Sequence, residues 1–148
     1  MAWAGSVQRA NLFVGDAKDR KILQAKIRHY VTKRLLPRYE ERCSEERHYK
    51  NLASLVKLGT AAVPSILRCG SYRYGVAQKL LNLSLKYHWC LGRITEPPHC
   101  PVDRLIINRT DLRDKVNWTE IREEEQYRIV IAAIKRVAKG QSLARDGN

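Results

Sequence analysis

"YGVAQKLLNLSLKYHWCLGRITEPPHCPVDRLII" occupies residues 74–107 and falls into three unlike parts. Over 76–91 apolar side chains recur at helical spacing. Val76, Leu80, Leu83 and Tyr87 make one face, and Ala77, Leu81, Leu85 and Trp89 add others. A helix that is apolar on most sides is a buried helix, so this one belongs at the centre of the molecule. Over 95–101 the chain carries Pro97, Pro98 and Pro101, which fix φ and remove backbone donors, and a loop is expected. "VDRLII" after it suits a brief strand or the start of another helix. Lys79 at the head of the apolar helix and Asp103 just past the rigid loop are the residues whose settings ask for a reason.

Outward from this stretch the sequence predicts an all-α domain. A weakly periodic segment covers 3–14 and stops near Gly15. Over 16–36, Leu23, Ile27, Tyr30, Val31 and Leu35 recur at helical spacing, with Lys18, Arg20, Lys21 and Arg28 largely off that stripe; Pro37 ends or bends the element. Another helix is expected over 38–58, with Leu52, Leu55, Val56 and Leu58 clustered before Gly59 as its stop. A short helix over 63–68 tolerates Pro64 in its first turn. The last strong element takes Asn117 or Thr119 as a cap and Glu120 in its first turn. It then sets Tyr127, Val130, Ile131, Ile134 and Ala138 on one face before Gly140. No succession of β-branched strands, internal repeat or low-complexity segment interrupts this pattern, so one helical domain over 1–148 is expected.

The 148 residues contain 28 Lys and Arg against 15 Asp and Glu, a net charge of +13. A polyanion is the natural partner for such a chain. Apolar runs are short and interrupted by Lys or Asn, so neither a membrane span nor a secretion signal is expected, and a cytoplasmic protein, nucleoid-associated if it binds DNA, follows. Cys43, Cys69, Cys90 and Cys100 contain no Cys-x-x-Cys pair and read as reduced, mostly packing residues. A zinc site from His88, Cys90, His99 and Cys100 has poor ligand spacing, and no metal or other cofactor is expected.

Three catalytic arrangements are excluded by motif. "GVAQK" lacks the glycine spacing and hydroxyl residue of a phosphate loop, no nucleophile elbow is present, and Arg93 and His99 straddle the proline loop instead of sharing a helix. Lys79 with Asp103 remains. A position in the first turn of a helix, together with partial burial, disfavours an ammonium group. A neutral amine can attack an electrophilic sugar carbon and form a Schiff base when an acidic partner handles the proton. Nothing in the sequence itself places Asp103 beside Lys79.

Gly75, Val76 and Lys79 match a Gly-apolar-Gly-x-Lys hairpin that introduces a helix, and Val102, Asp103 and Arg104 match an apolar-Asp motif that follows a loop. With the capped terminal helix and "SLAR" beyond it, residues 64–140 resemble the helix-hairpin-helix DNA glycosylases, particularly the archaeal-type 8-oxoguanine glycosylase/AP lyases. Ala77 stands in the place of the second hairpin glycine and Leu105 in that of a histidine often found after the aspartate. The loop between the motifs is longer than usual, and no iron-sulfur cysteine cluster is present.

The resemblance implies a helix-hairpin-helix-like element and action on damaged double-stranded DNA. A base is extruded from the duplex, Lys79 attacks C1′, and Asp103 stabilises the developing charge and helps deprotonate the amine. The amides near Gly75 and Val76 hold a phosphate, Arg73, Lys86 and Arg104 add charge to the backbone, and Tyr72, Tyr74 or Trp89 stack on a base. Plainer roles compete for the same residues. Lys79 can be a solvated helix residue, Asp103 a cap, Trp89 a core residue, and His99 and Cys100 loop-locking residues. Two other classes also use the charge: a non-catalytic nucleic-acid-binding module, and a basic interaction or inhibitor domain with a protein partner or a second copy.

Overall fold

The computed structural model describes residues 2–146, with side chains through residue 141. Its helices are α1 (Ala2–Val7), α2 (Ala17–Tyr30), α3 (Glu45–Ala62), α4 (Tyr74–Cys90), α5 (Arg104–Ile107) and α6 (Glu124–Asp146). No strand occurs among the described residues; a single antiparallel bridge joins Phe13 to Leu67. The chain is all-α. None of the described helices is long and apolar enough to cross a membrane.

α4 is the hub. α1, α3 and α6 pack on it, α2 packs on α3, and α5 meets α6. Every residue from Tyr74 to Asn82 is buried, which explains why that half of the helix is apolar on nearly all sides. The periodic stripes predicted for the neighbouring helices supply the rest of the core, with Leu23, Ile27, Leu35, Leu52, Leu55, Tyr127 and Val130 at 1% exposure or less. Asp16 and Ser44 cap α2 and α3 by accepting from the backbone N–H groups of Lys18 and Arg47. Such caps satisfy donors that the first turn of a helix leaves unpaired.

Several boundaries differ from the sequence reading. The element over 16–36 is α-helical only to Tyr30. It then widens into a π-turn over Val31–Leu35 and tightens into a 3-10 turn over Leu36–Tyr39, a re-registration forced where Pro37 cannot donate a backbone hydrogen bond. α3 begins at Glu45, not at 38, and Gly59 lies inside it instead of ending it. A Cβ at Gly59 would overlap the Tyr72 ring, so this glycine permits a close approach. Residues 63–68 hold a 3-10 turn, and "VDRLII" opens a helix. Asn117 caps a separate 3-10 turn, Trp118–Glu120, and α6 runs past Gly140. Tyr87 and Trp89 are 41% and 44% exposed, because the C-terminal half of α4 extends beyond the core. Of the four cysteines only Cys43 is buried, so packing is not the general role of these thiols.

Candidate active site

The first turn of α4 is seated against the Trp118–Glu120 turn. The Gly75 N–H donates to the Ile121 carbonyl at 2.8 Å, and a Cβ at Gly75 would overlap the Trp118 carbonyl oxygen. Gly75 is thus required by an internal backbone contact. Lys79 follows one turn later. Its Nζ lies 2.7 Å from Asp103 Oδ2 and 5.9 Å from the centre of the Trp118 ring. It is in the second turn of α4, not the first, so the helix dipole acts on it less than its reading as a first-turn residue implied. Lys79 is buried and is not a solvated helix residue.

Asp103 serves two partners. Oδ2 accepts from Lys79 while Oδ1 accepts from the Ile106 N–H at 3.1 Å, capping α5. Burial pushes the Asp103 carboxyl up. The hydrogen bond from Lys79 and the amides of Ile106 and Leu105 pull it down by more, leaving it below the usual carboxylate range.

Gln78 brings Asp103 within reach. Its Nε2 donates to the Val102 carbonyl at 2.7 Å, and its Oε1 accepts from the Val102 N–H at 3.1 Å. Two consecutive residues of α4 therefore hold two consecutive residues beyond the proline loop, Gln78 gripping Val102 and Lys79 gripping Asp103. Asn82 Nδ2 donates to Gln78 Oε1 and to the Tyr127 hydroxyl at 3.2 and 3.0 Å. Tyr127 also meets His99 Nδ1 at 2.9 Å, and His99 Nε2 lies 2.9 Å from Glu45 Oε1. Burial lowers the His99 pKa despite the opposing carboxylate. A neutral ring protonated on Nε2 donates to Glu45 and leaves Nδ1 to accept from Tyr127, which satisfies both nitrogens. His99 locks the proline loop to α3 and α6 in this way.

The sequence reading did not single out Gln78, Asn82 or Tyr127 as members of a polar cluster. The available signal was a pair of amides four residues apart on an otherwise apolar helix, since a buried amide requires partners.

The Lys79–Asp103 pair opens into two clefts. One, of about 580 Å³, is walled by Lys86, Trp89, Pro97, Pro98 and Arg109. The other, of about 240 Å³, runs between Gln8, Arg9, Arg104 and Trp118. A larger groove of about 790 Å³ lies elsewhere, against α2 and α3; it is mostly apolar and contains no comparable pair.

Five of the nucleic-acid contacts expected from the sequence are interior. Tyr72, Arg73, Tyr74, Gly75 and Val76 are all buried. Arg73 donates to the Ala10 carbonyl and meets Glu120 Oε1 at 3.2 Å. Gly75 and Val76 face the protein's own turn, and the two tyrosines pack in the core, so none offers a surface to a phosphate or base. Lys86, Arg104 and Trp89 are exposed beside the pair. Among the described residues no three His, Cys, Asp or Glu side chains gather closely enough to hold a metal ion.

The arrangement can support covalent amine chemistry in which one carboxylate receives the amine proton, because an amine and a carboxylate are already in hydrogen-bond contact where two clefts meet. Comparison with protein-family models, curated proteins and solved structures finds no match to this chain.

Proposed function

We propose that the protein is a DNA glycosylase/AP lyase that acts on a damaged or modified base through a Lys79 Schiff base. The observation that carries this reading is the 2.7 Å contact between Lys79 Nζ and Asp103 Oδ2. The two residues that the glycosylase resemblance names as nucleophile and acid partner come from separate elements and meet where two clefts open.

In the reaction, Asp103 takes a proton from Lys79 and the freed amine bonds to C1′ of an extruded nucleotide. The C1′–N glycosidic bond breaks, its electron pair leaving with the base, which takes up a proton. Asp103 stabilises positive charge at the sugar while these bonds exchange. Opening of the sugar ring produces an imine, and loss of a proton from C2′ then expels the 3′-phosphate, which cleaves the strand. Substrate filling the cleft displaces water from the ion pair and makes proton transfer within it easier.

Borohydride reduces an imine to a stable amine and so traps this intermediate. With duplexes carrying 8-oxoguanine, uracil or an abasic site, the wild type is expected to form a covalent complex on at least one. Lys79→Gln forms none, and Asp103→Asn is slowed by about 10²-fold or more. Undiminished trapping by Lys79→Gln would remove Lys79 as the nucleophile. Absence of any complex with the wild type, alongside salt-sensitive duplex binding, would leave a non-catalytic DNA-binding module in which the ion pair is structural.

A further inference from the structure

α2 and α4 both pack on α3, and α1 lies on α4, yet α2 and α4 are not packed directly together. The space left between them is a pocket of about 150 Å³. Its wall is aliphatic: Ile27 and Val31 on one side and Leu80 of α4 on the other are buried, with Trp3 of α1 beside them. The polar lining comes from successive turns. Gln24 and Arg28 stand one turn apart on α2, Thr32 follows in the π-turn, and His88 lies two turns beyond Leu80 on α4. Among the described residues none of these four side chains is engaged in a hydrogen bond or ion pair, whereas Arg38 donates to Asn51, and Arg73 to Ala10 and Glu120. No Asp or Glu lines the pocket.

We infer that this pocket binds a small organic anion: a carboxylic acid whose apolar body is one aromatic ring or a group of that size. The volume sets the size, since a cavity of about 150 Å³ accommodates a benzene ring and is too small for a nucleotide. Aliphatic walls offer water no hydrogen-bond partners, so an apolar body replaces it there favourably. The uncommitted side chains set the charge. All four carry donors, the Arg28 guanidinium is always charged, and a carboxylate accepts two parallel bonds from such a group. An ammonium ligand would instead face Arg28 with no carboxylate to offset it. An apolar cavity with a few convergent polar groups at its edge is the general form of a small-molecule site. The pocket shares no residue with the clefts at Lys79 and Asp103, so the site goes beyond the lyase reading and does not depend on it.

The probe is sodium benzoate, titrated into the full chain and followed by NMR of the backbone amides and the Trp3 indole, with benzyl alcohol and benzylamine as its neutral and cationic counterparts. Benzoate is expected to bind saturably with a Kd of about 1 mM or tighter, shifting the Trp3 indole N–H and the amides of Arg28 and Ser84. Benzyl alcohol binds about tenfold more weakly, and benzylamine more weakly still. Arg28→Gln loses about tenfold in benzoate affinity, leaves benzyl alcohol binding as it was, and keeps the wild-type urea midpoint because Arg28 is exposed. Ser84→Leu places a side chain in the pocket and removes binding of both compounds. No saturable Trp3 shift up to about 10 mM benzoate would overturn the inference. So would equal benzoate affinity for Arg28→Gln and the wild type, equal affinity of the wild type for benzoate and benzyl alcohol, or shifts centred on Lys86 or Arg104 in place of Trp3.

Discussion

Replacing Gln78 with leucine probes whether the grip on Val102 holds the pair together. Gln78 is fully buried, and its amide satisfies both the N–H and the C=O of Val102, itself fully buried. Leucine is of similar size and opens no large cavity, so the dominant effect is the loss of partners for two buried backbone groups. Each orphaned group costs about 1–3 kcal/mol, and the added apolar burial offsets part of that, leaving a net loss of about 2–4 kcal/mol. Asn82 Nδ2 keeps its bond to Tyr127 and adds little. Against a total of about 5–15 kcal/mol for a domain this is a large fraction, and it corresponds to a fall in Tm of about 5–15 °C. Urea and thermal melts measure the loss. An NMR titration of the Asp103 carboxyl measures its consequence for the site: the pKa, held low by Lys79 and by the α5 amides, rises towards the ordinary carboxylate range as the loop loosens. A loss below about 0.5 kcal/mol with an unchanged Asp103 titration would refute the reasoning, since the loop would then be held by the prolines and His99 alone.

Glu45 links the same loop to α6. Hydrogen bonds from Lys135 and then His99, opposed by burial, lower its pKa to about 2. A carboxylate with a depressed folded-state pKa stabilises above its unfolded value and loses that contribution as pH falls through the folded one. Glu45→Gln should therefore melt below the wild type at pH 7, and the two stability curves should converge as pH falls from the ordinary carboxylate range to about 2. Gly75→Ala, whose Cβ meets backbone instead of a movable side chain, should lose about 3 kcal/mol in a urea melt. Gly140→Ala, with open space around the new methyl, should gain up to about 1 kcal/mol through helix propensity. Arg104→Gln should reduce the dependence of log K on log salt by about one for duplexes of any sequence, as measured by fluorescence anisotropy.

The helical class was legible because period-3.6 apolar stripes report burial directly: Leu23, Ile27 and Leu35, and Leu52 and Leu55, face the core where spacing placed them. Boundaries at glycine were misread for a physical reason. Gly59 serves a neighbouring ring and Gly140 is tolerated in an exposed helix, and a single sequence does not distinguish these uses from a helix stop. Lys79 and Asp103 stood out by type and setting. Tyr72, Arg73 and Tyr74 looked like an exposed aromatic-basic strip because alternation of residue types carries no information about what packs over them; Gly59 and the Trp118–Glu120 turn cover part of that strip.

Composition, periodicity and proline placement determined by themselves an all-helical, strongly basic chain with a buried central helix and a rigid loop before Asp103, since each is a property of local residue order. The 2.7 Å ion pair, its grip by Gln78 and the burial of the expected phosphate hairpin were decided by tertiary structure. They depend on how α1, α5, α6 and the Trp118–Glu120 turn close around α4, and contacts between segments so far apart in the chain are fixed only when the whole core packs.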